Sequence, residues 1–246
     1  MSDPVVILGM HRSGTSFLVR ALNLSGLWLG YETELGTVEG RASQGNPKGN
    51  YENRAAMAIN DAILRASGGV WFRPPERIIS NGTDAQRIRQ FSATLERGQP
   101  ANFLRWGWKD PRTLLTLDVW MAALERPIFI VAAFRHPMAV ARSLLARNNI
   151  PIEVGLALWV RYNRHLLGYL DANPHALLRF DLSAEDLIAQ TLRIGEITGL
   201  RADRHLIESW FDAQLVRSRA QTEDVLPTGP VATVWGQLLE HHQSTG

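Results

Sequence analysis

VVILGMHRSGTSFL, residues 5–18, is an apolar run that breaks into a glycine-bounded loop and then continues with helical spacing. This order predicts a strand, a phosphate-binding loop and a helix. The first N–H groups of a helix have no intrahelical partners and lie at the positive end of its dipole. We therefore expect a phosphorylated ligand around Gly14, although an ordinary strand-turn-helix corner would share the pattern.

The loop departs from the usual nucleoside triphosphate site at one position. Gly9 and Gly14 have the spacing of that motif, but Thr15 stands where its lysine would be, and the cation is Arg12 instead. Kinases and ATPases use the lysine together with Mg²⁺ to neutralise the β- and γ-phosphates. Its absence makes a triphosphate ligand the weaker hypothesis.

The remaining pattern predicts an α/β protein, a P-loop-containing three-layer fold with a central, mostly parallel β-sheet flanked by helices. We expect residues 1–246 to form one domain in which about 216–246 is a C-terminal tail, partly flexible. Strands are predicted at 27–30, 103–109, 127–134 and 176–180, and helices at 54–66, 84–97, 113–124, 138–147, 151–170, 184–198 and 204–211.

Composition narrows the function classes. The net charge is only +2, so we expect no nucleic-acid partner. The chain has no cysteine, no signal peptide pattern and no apolar run near the ~20 residues that span a bilayer. These features predict a cytoplasmic protein without a membrane span, and they leave its oligomeric state open.

Two later strands end in charged residues. The strand at 103–109 ends in Lys109, followed by Asp110, Pro111 and Arg112, at the edge where open α/β sheets bind ligands. Asp110 could equally serve as a helix cap. The strand at 127–134 is followed by Arg135 rather than by a Mg²⁺-binding aspartate, which favours an anion.

Ser143, eight residues after Arg135, lies two turns into the next helix on the face that looks back to the helix start. We expect Arg135 and Ser143 to share one phosphate. Glu52 comes directly before the helix predicted at 54–66, where it could act in chemistry or only complement the helix dipole.

With these residues in view, the chain resembles the sulfotransferases that use 3′-phosphoadenosine 5′-phosphosulfate (PAPS), particularly bacterial members and the tyrosylprotein branch. The resemblance rests on several motifs that span most of the chain: the loop at 12–16, the Arg135 and Ser143 pair, the N-P-K-G-N-Y-E segment at 46–52, the Lys-Asp-Pro corner at 109–111 and Phe-Asp-Leu at 180–182.

The resemblance implies a nucleotide site in two parts. Arg12, Ser13, Gly14, Thr15 and Ser16 would hold the 5′-phosphosulfate. Arg135 and Ser143 would hold the 3′-phosphate. It implies no metal site.

The catalytic base is where this sequence departs from the family. Soluble small-molecule sulfotransferases use a loop lysine and a histidine base on the third strand, whereas this chain has Arg12 and the pair Asp110-Pro111. Golgi-type relatives use a glutamate after the second strand. That leaves Glu52, Glu32 and Asp110 as candidates, of which we favour Glu52.

The predicted reaction is in-line transfer of a sulfuryl group from PAPS to a hydroxyl or amine of a small-molecule, carbohydrate or peptide acceptor. Glu52, Lys109 and Arg12 are the predicted catalytic residues. The alternatives are an atypical P-loop kinase that uses Mg-ATP and a nucleotide-binding module without catalysis. We read His11 and His136, which flank the two phosphate motifs, as structural or as residues that support the site from behind.

Three further groups of residues have an open role. Trp71, Trp106, Trp108 and Trp159 are candidates either for the core or for an acceptor wall. Arg217 and Arg219 are candidates to touch the nucleotide or to be solvated. Lys48 and Lys109 are the only lysines, and both lie in these motifs.

Overall fold

A computed structural model of the chain describes residues 3–36, 49–210 and 226–244. In that part of the chain, five strands form one parallel sheet in the order β2-β3-β1-β4-β5. They are β1 (Val5–Leu8), β2 (Leu27–Trp28), β3 (Arg105–Lys109), β4 (Phe129–Phe134) and β5 (His175–Arg179). The predicted α/β class and parallel sheet are confirmed.

The helices of the described residues lie where the apolar periodicity predicts them, with one addition at the C-terminal end. They are α1 (Thr15–Leu24), α2 (Arg54–Ala66), α3 (Gly82–Gly98), α4 (Thr113–Leu124), α5 (Pro137–Asn148), α6 (Ile152–Ala172), α7 (Ala184–Ile197), α8 (Arg204–Trp210) and α9 (Pro230–Ser244).

Two hydrophobic layers enclose the sheet, because successive residues of a strand face opposite sides. Val5 and Ile7 pack with α1, α7 and α8, whereas Val6 and Leu8 pack with the layer that contains α2, α3, α4, α5, α6 and α9. β1 is buried on both faces, as the continuous apolar run of a central parallel strand requires. The result is the three-layer arrangement that the sequence predicts.

The described part of the C-terminal segment contains a helix that the sequence pattern did not predict. Residues 230–244 form α9, which packs against α6 and β5 and buries Val231, Val234, Trp235 and Leu238. The Trp235 ring centroid lies 5.5 Å from that of Phe134. The apolar face of α9 therefore makes this helix part of the core. Pro227 and Gly229 precede the helix and Pro230 begins it, and they hide its pattern in the sequence.

The sheet order fixes the position of the site. β1 lies in the centre between β3 and β4, so the segments that follow these three strands meet at one edge of the sheet. Open parallel sheets bind ligands at the carboxyl ends of their strands, where the strand order reverses. None of the described helices is long and apolar enough to cross a membrane.

Candidate active site

The loop after β1 has the backbone of an anion site. Gly9 and Gly14 both have positive φ, and a Cβ on Gly14 would lie 2.2 Å from the Phe180 ring. No side chain caps the start of α1 at Gly14, which leaves its first N–H groups for a ligand. Ser13 is fully buried, and its Oγ has no hydrogen-bond partner among the described residues.

Arg12 links this loop to the next one. It has a φ of 72°, its Nε donates to Ser143 Oγ at 2.8 Å, and its carbonyl accepts from an Arg135 guanidinium nitrogen at 3.2 Å. Arg135 and Ser143, the predicted pair, therefore both hydrogen-bond to Arg12. Trp159 donates to the Arg135 carbonyl at 3.0 Å and fixes the start of this turn.

The two arginines are buried cations. Burial, and then the charges of Arg147 and Arg135, lower the pKa of Arg12 to about 10. Burial lowers the pKa of Arg135 to about 10 against the opposing charge of Asp181. Both guanidiniums stay charged at neutral pH, and a bound anion would offset the cost of desolvating them.

Asp181, in the Phe-Asp-Leu motif at 180–182, connects the end of β5 to the turn after β4. Its side chain is 3% exposed and accepts from the His136 backbone N–H at 3.1 Å and from the Arg179 guanidinium at 3.0 Å. The Arg135 guanidinium carbon lies 5.4 Å from the Phe180 ring centroid. β5 and the residues after it thereby hold the turn after β4 in place.

Lys109 and Glu52 form a buried ion pair. Lys109 Nζ lies 2.8 Å from Glu52 Oε1, and the two side chains are 2% and 11% exposed. The same ammonium donates to the Asn50 carbonyl at 3.2 Å and to Ser16 Oγ at 3.5 Å. Asn53 caps α2 through its side chain, so Glu52 lies just before the helix and its carboxylate turns to the sheet edge.

Asp110 lies behind the site rather than in it. Its fully buried carboxylate accepts from Asn60 Nδ2 at 2.8 Å and from the Arg112 guanidinium at 2.8 Å. Asn60 also contacts Thr113, Thr116 and Trp120, so its amide is saturated with partners. These bonds hold Arg112, whose Nε lies 2.9 Å from Asp61.

The other predicted residues form three groups. Glu32 is exposed in a single 3₁₀ turn, Glu32–Glu34, and does not line the cleft that Lys109 lines. Trp106, Trp108 and Trp159 are buried in the core, which leaves Trp71 as the candidate for an acceptor wall. Lys48 and the N-P-K part of the segment at 46–52, together with Arg217 and Arg219, lie outside the described residues.

Arg12, Lys109, Glu52 and Arg112 line a cleft of about 270 Å³. Arg135 and Ser143 lie outside this lining. The lining residues of the cleft are His11, Arg12, Thr15, Ser16, Asn50, Glu52, Met57, Trp71, Lys109, Pro111, Arg112, Arg147 and Asn148.

His11 forms part of the cleft wall. Its ring centroid lies 4.2 Å from that of Trp71, and its Nε2 has no hydrogen-bond partner among the described residues. Burial, followed by the charges of Arg112, Lys109, Arg12 and Arg147, lowers its pKa well below the usual value. His11 is therefore a neutral ring that lines the site, whereas the sequence favoured a structural role.

Sequence reasoning also missed Arg147, Asn148 and the cleft position of Arg112. Arg147 and Asn148 lie at the end of α5, one turn beyond Ser143, so helical spacing from Ser143 was the available signal. No group of three or more His, Asp or Glu side chains among the described residues could hold a metal ion.

Comparison with solved structures gives two similar folds. A sulfotransferase domain from the Synechococcus PCC 7002 olefin synthase aligns at a TM-score of 0.58 and 16% identity, over 98% of this chain and 95% of that one. A sulfotransferase domain from the curacin biosynthetic pathway aligns at 0.57 and 15%, over 97% and 98%.

The chain therefore has the fold of sulfotransferase domains along nearly its whole length. No protein-family model matches the sequence, and no curated protein matches it.

Proposed function

We propose that this protein is a sulfotransferase that moves a sulfuryl group from PAPS to a hydroxyl or amine acceptor. The observation that carries the proposal is the joint position of Arg12, Ser143 and Arg135 beside an uncapped helix start, with Lys109 and Glu52 next to that loop. This arrangement offers cations for two phosphate groups and a carboxylate for a proton. The fold shared with sulfotransferase domains supports it.

The residues present fit a nucleotide with two separated phosphate groups. Ser13 Oγ has no hydrogen-bond partner among the described residues, none of their side chains caps the start of α1, and a Cβ at Gly14 would meet Phe180. Ser13, Gly14, Thr15 and Ser16 would bind the 5′-phosphosulfate, and Arg135 and Ser143 the 3′-phosphate. Arg12 lies between the two groups.

PAPS, when bound, supplies an activated sulfuryl group whose departure leaves adenosine 3′,5′-bisphosphate (PAP). Glu52 takes the proton from the acceptor hydroxyl as the acceptor oxygen forms its bond to sulfur. The bond from sulfur to the bridging phosphate oxygen breaks, and its electron pair leaves with PAP. Glu52 is favoured over the other candidate acids because it lines the cleft beside Lys109, whereas Asp110 is fully buried and Glu32 does not line the cleft.

Lys109 and Arg12 stabilise the charge that develops on the sulfuryl and bridging oxygens. Preorganised donors in a buried site are worth about 3–4 kcal/mol each in the transition state. Lys109 is held by Glu52, Asn50 and Ser16, so it is oriented before any ligand binds. When Glu52 gains a proton, its pairing with Lys109 weakens and the ammonium interacts more strongly with the transferring group.

A thermal-shift comparison tests the nucleotide. PAP at 100 times its dissociation constant should stabilise the protein by about 2.7 kcal/mol, which for a chain of this size raises the melting temperature by about 5–10 °C. Mg-ATP at the same concentration should have a smaller effect. Stabilisation by Mg-ATP alone would favour a kinase, and PAP binding without consumption of PAPS would favour a module without catalysis.

A further inference from the structure

The charges around the cleft are unequal. Of the described lining residues, Arg12, Lys109, Arg112 and Arg147 are cations, whereas Glu52 is the one acid. Glu52 is paired with Lys109, and Arg112 is paired with Asp110 and Asp61 behind it. Arg147 is exposed and makes no ion pair with a described residue.

Arg147 and Asn148 are the exposed residues of the cleft lining, so they mark its outer, solvent-facing end. Arg147 follows Ser143 by one turn on α5, so the two residues share a face of that helix, but Ser143 points to Arg12 and does not line the cleft. In the proposed function the phosphates of the donor are met by Arg12, Arg135, Ser143 and the loop. Arg147 is left out of that assignment, and it lies with Asn148 at the solvent-facing end, where an acceptor would enter.

The surroundings of His11 indicate that the electrostatic potential inside the cleft is positive. The four cations of the lining all disfavour a positive charge on the His11 ring. An acceptor amine is an ammonium ion at neutral pH, so it would meet the same repulsion and would also have to lose a proton before it could attack. A hydroxyl group enters the cleft uncharged, and the cations of the lining attract an anionic group on the same molecule.

We propose that the acceptor is a hydroxyl compound that also carries an anionic group, and that Arg147 binds this group at the outer end of the cleft. This inference rests on the proposed function. It narrows the acceptor from a hydroxyl or amine to an anionic alcohol or phenol.

Three compounds on one skeleton test the acceptor class. They are 4-(hydroxymethyl)benzoate, its neutral amide 4-(hydroxymethyl)benzamide, and the amine 4-(aminomethyl)benzoate, and the rate measured is the release of PAP from PAPS. We expect kcat/KM for the anionic alcohol to exceed those of the amide and the amine by about tenfold. 4-(Hydroxymethyl)phenylphosphonate tells whether Arg147 prefers a carboxylate or a phosphate-like anion.

Variants of Arg147 test the assigned contact. Arg147→Gln should reduce the preference for the benzoate over the benzamide to nearly one, through KM, and Arg147→Glu should reverse it. Arg164→Gln removes the same charge from an exposed position on α6 outside the cleft and should leave the preference unchanged. Because Arg147 is exposed, these variants should fold.

Several results would overturn the inference. The first is that the neutral amide or the amine is used as well as the anionic alcohol. The second is that the anionic alcohols do not raise PAP release above the rate without acceptor. The third is that Arg147→Gln weakens the binding of PAP itself. If PAP still stabilises the protein, the inference alone is wrong. If PAP does not bind, the proposed function is wrong as well.

Discussion

At the scale of single residues, we expect substitutions in the ion pair of Lys109 and Glu52 to have the largest effects on stability and turnover. Removing one partner of a buried pair leaves the other charge uncompensated, which is costly in a low-dielectric site. The pair also unites the two groups that the proposed chemistry needs, a base and a cation, at 2.8 Å. Its effects on stability and on turnover can be separated by substitution.

Glu52→Gln should lower kcat by about 10²–10⁴-fold, because an amide accepts no proton. The amide oxygen can still accept from Lys109, so PAP should bind nearly as in the parent protein. The measurements are PAP release from PAPS and PAP affinity by calorimetry.

Glu32→Gln is the matched control, since Glu32 is exposed and lies outside the cleft. It should leave both quantities unchanged. Parental turnover in Glu52→Gln would move the base to another residue.

At the scale of elements, the loop between β1 and α1 depends on a close approach of two segments. Gly14 has a φ of 90°, and its Cα faces Phe180, which follows β5. Any side chain here would both adopt an unfavourable backbone conformation and displace the aromatic ring. The loop therefore depends on β5 for its shape.

Gly14→Ala should reduce the free energy of unfolding by about 2–5 kcal/mol, from left-handed strain and overpacking together. Gly199→Ala separates these causes, because Gly199 has a φ of 69° with no atom within 4 Å of the added Cβ. It should cost only about 1–2 kcal/mol. Equal losses in the two variants, measured by urea unfolding, would contradict a clash with Phe180.

α9 is the second element with a testable effect. Trp235→Ala should destabilise the protein by about 3–5 kcal/mol, because it leaves a cavity against Phe134 and Trp159. Gln237→Ala, on the exposed face of the same helix, should change stability by less than about 0.5 kcal/mol. Denaturant unfolding of both variants measures the difference, and similar values would mean that α9 adds little to the core.

At the scale of the whole molecule, the order of the strands assembles the site. Neighbouring parallel strands end at the same edge, so Arg12 after β1, Lys109 at the end of β3 and Arg135 after β4 converge. The same convergence concentrates positive charge around His11, and this affects the stability of the entire protein as pH changes.

The free energy of unfolding should fall as pH decreases below about 6.5, because the unfolded chain protonates His11 there and the folded protein does not. This single group contributes a slope of about 1.4 kcal/mol per pH unit. His11→Gln should remove that contribution, whereas substitution of the exposed His205 should not. Urea unfolding between about pH 5 and pH 7 provides the test, and an unchanged slope in His11→Gln would show that His11 is charged in the fold.

Much of the architecture follows from local sequence. α2 and α4 begin and end where the pattern predicts, and the strand, loop and helix at 5–24 follow from glycine positions and apolar spacing. Such features depend on residues a few positions apart, which the covalent chain holds close together. The sequence pattern did not predict α9, because its apolar face is buried by contacts with α6 and β5, which lie far away along the chain.

The sequence by itself determined an α/β chain with a phosphate-type loop at its start and charged residues after two later strands. Only the tertiary structure decided that the Glu52 carboxylate pairs with the Lys109 ammonium, that Arg12 donates a hydrogen bond to Ser143, and that His11 lines the cleft. The physical reason is distance along the chain. Glu52 and Lys109 are 57 positions apart, and Arg12 and Ser143 are 131 apart, so their contacts depend on how the strands are ordered in the sheet.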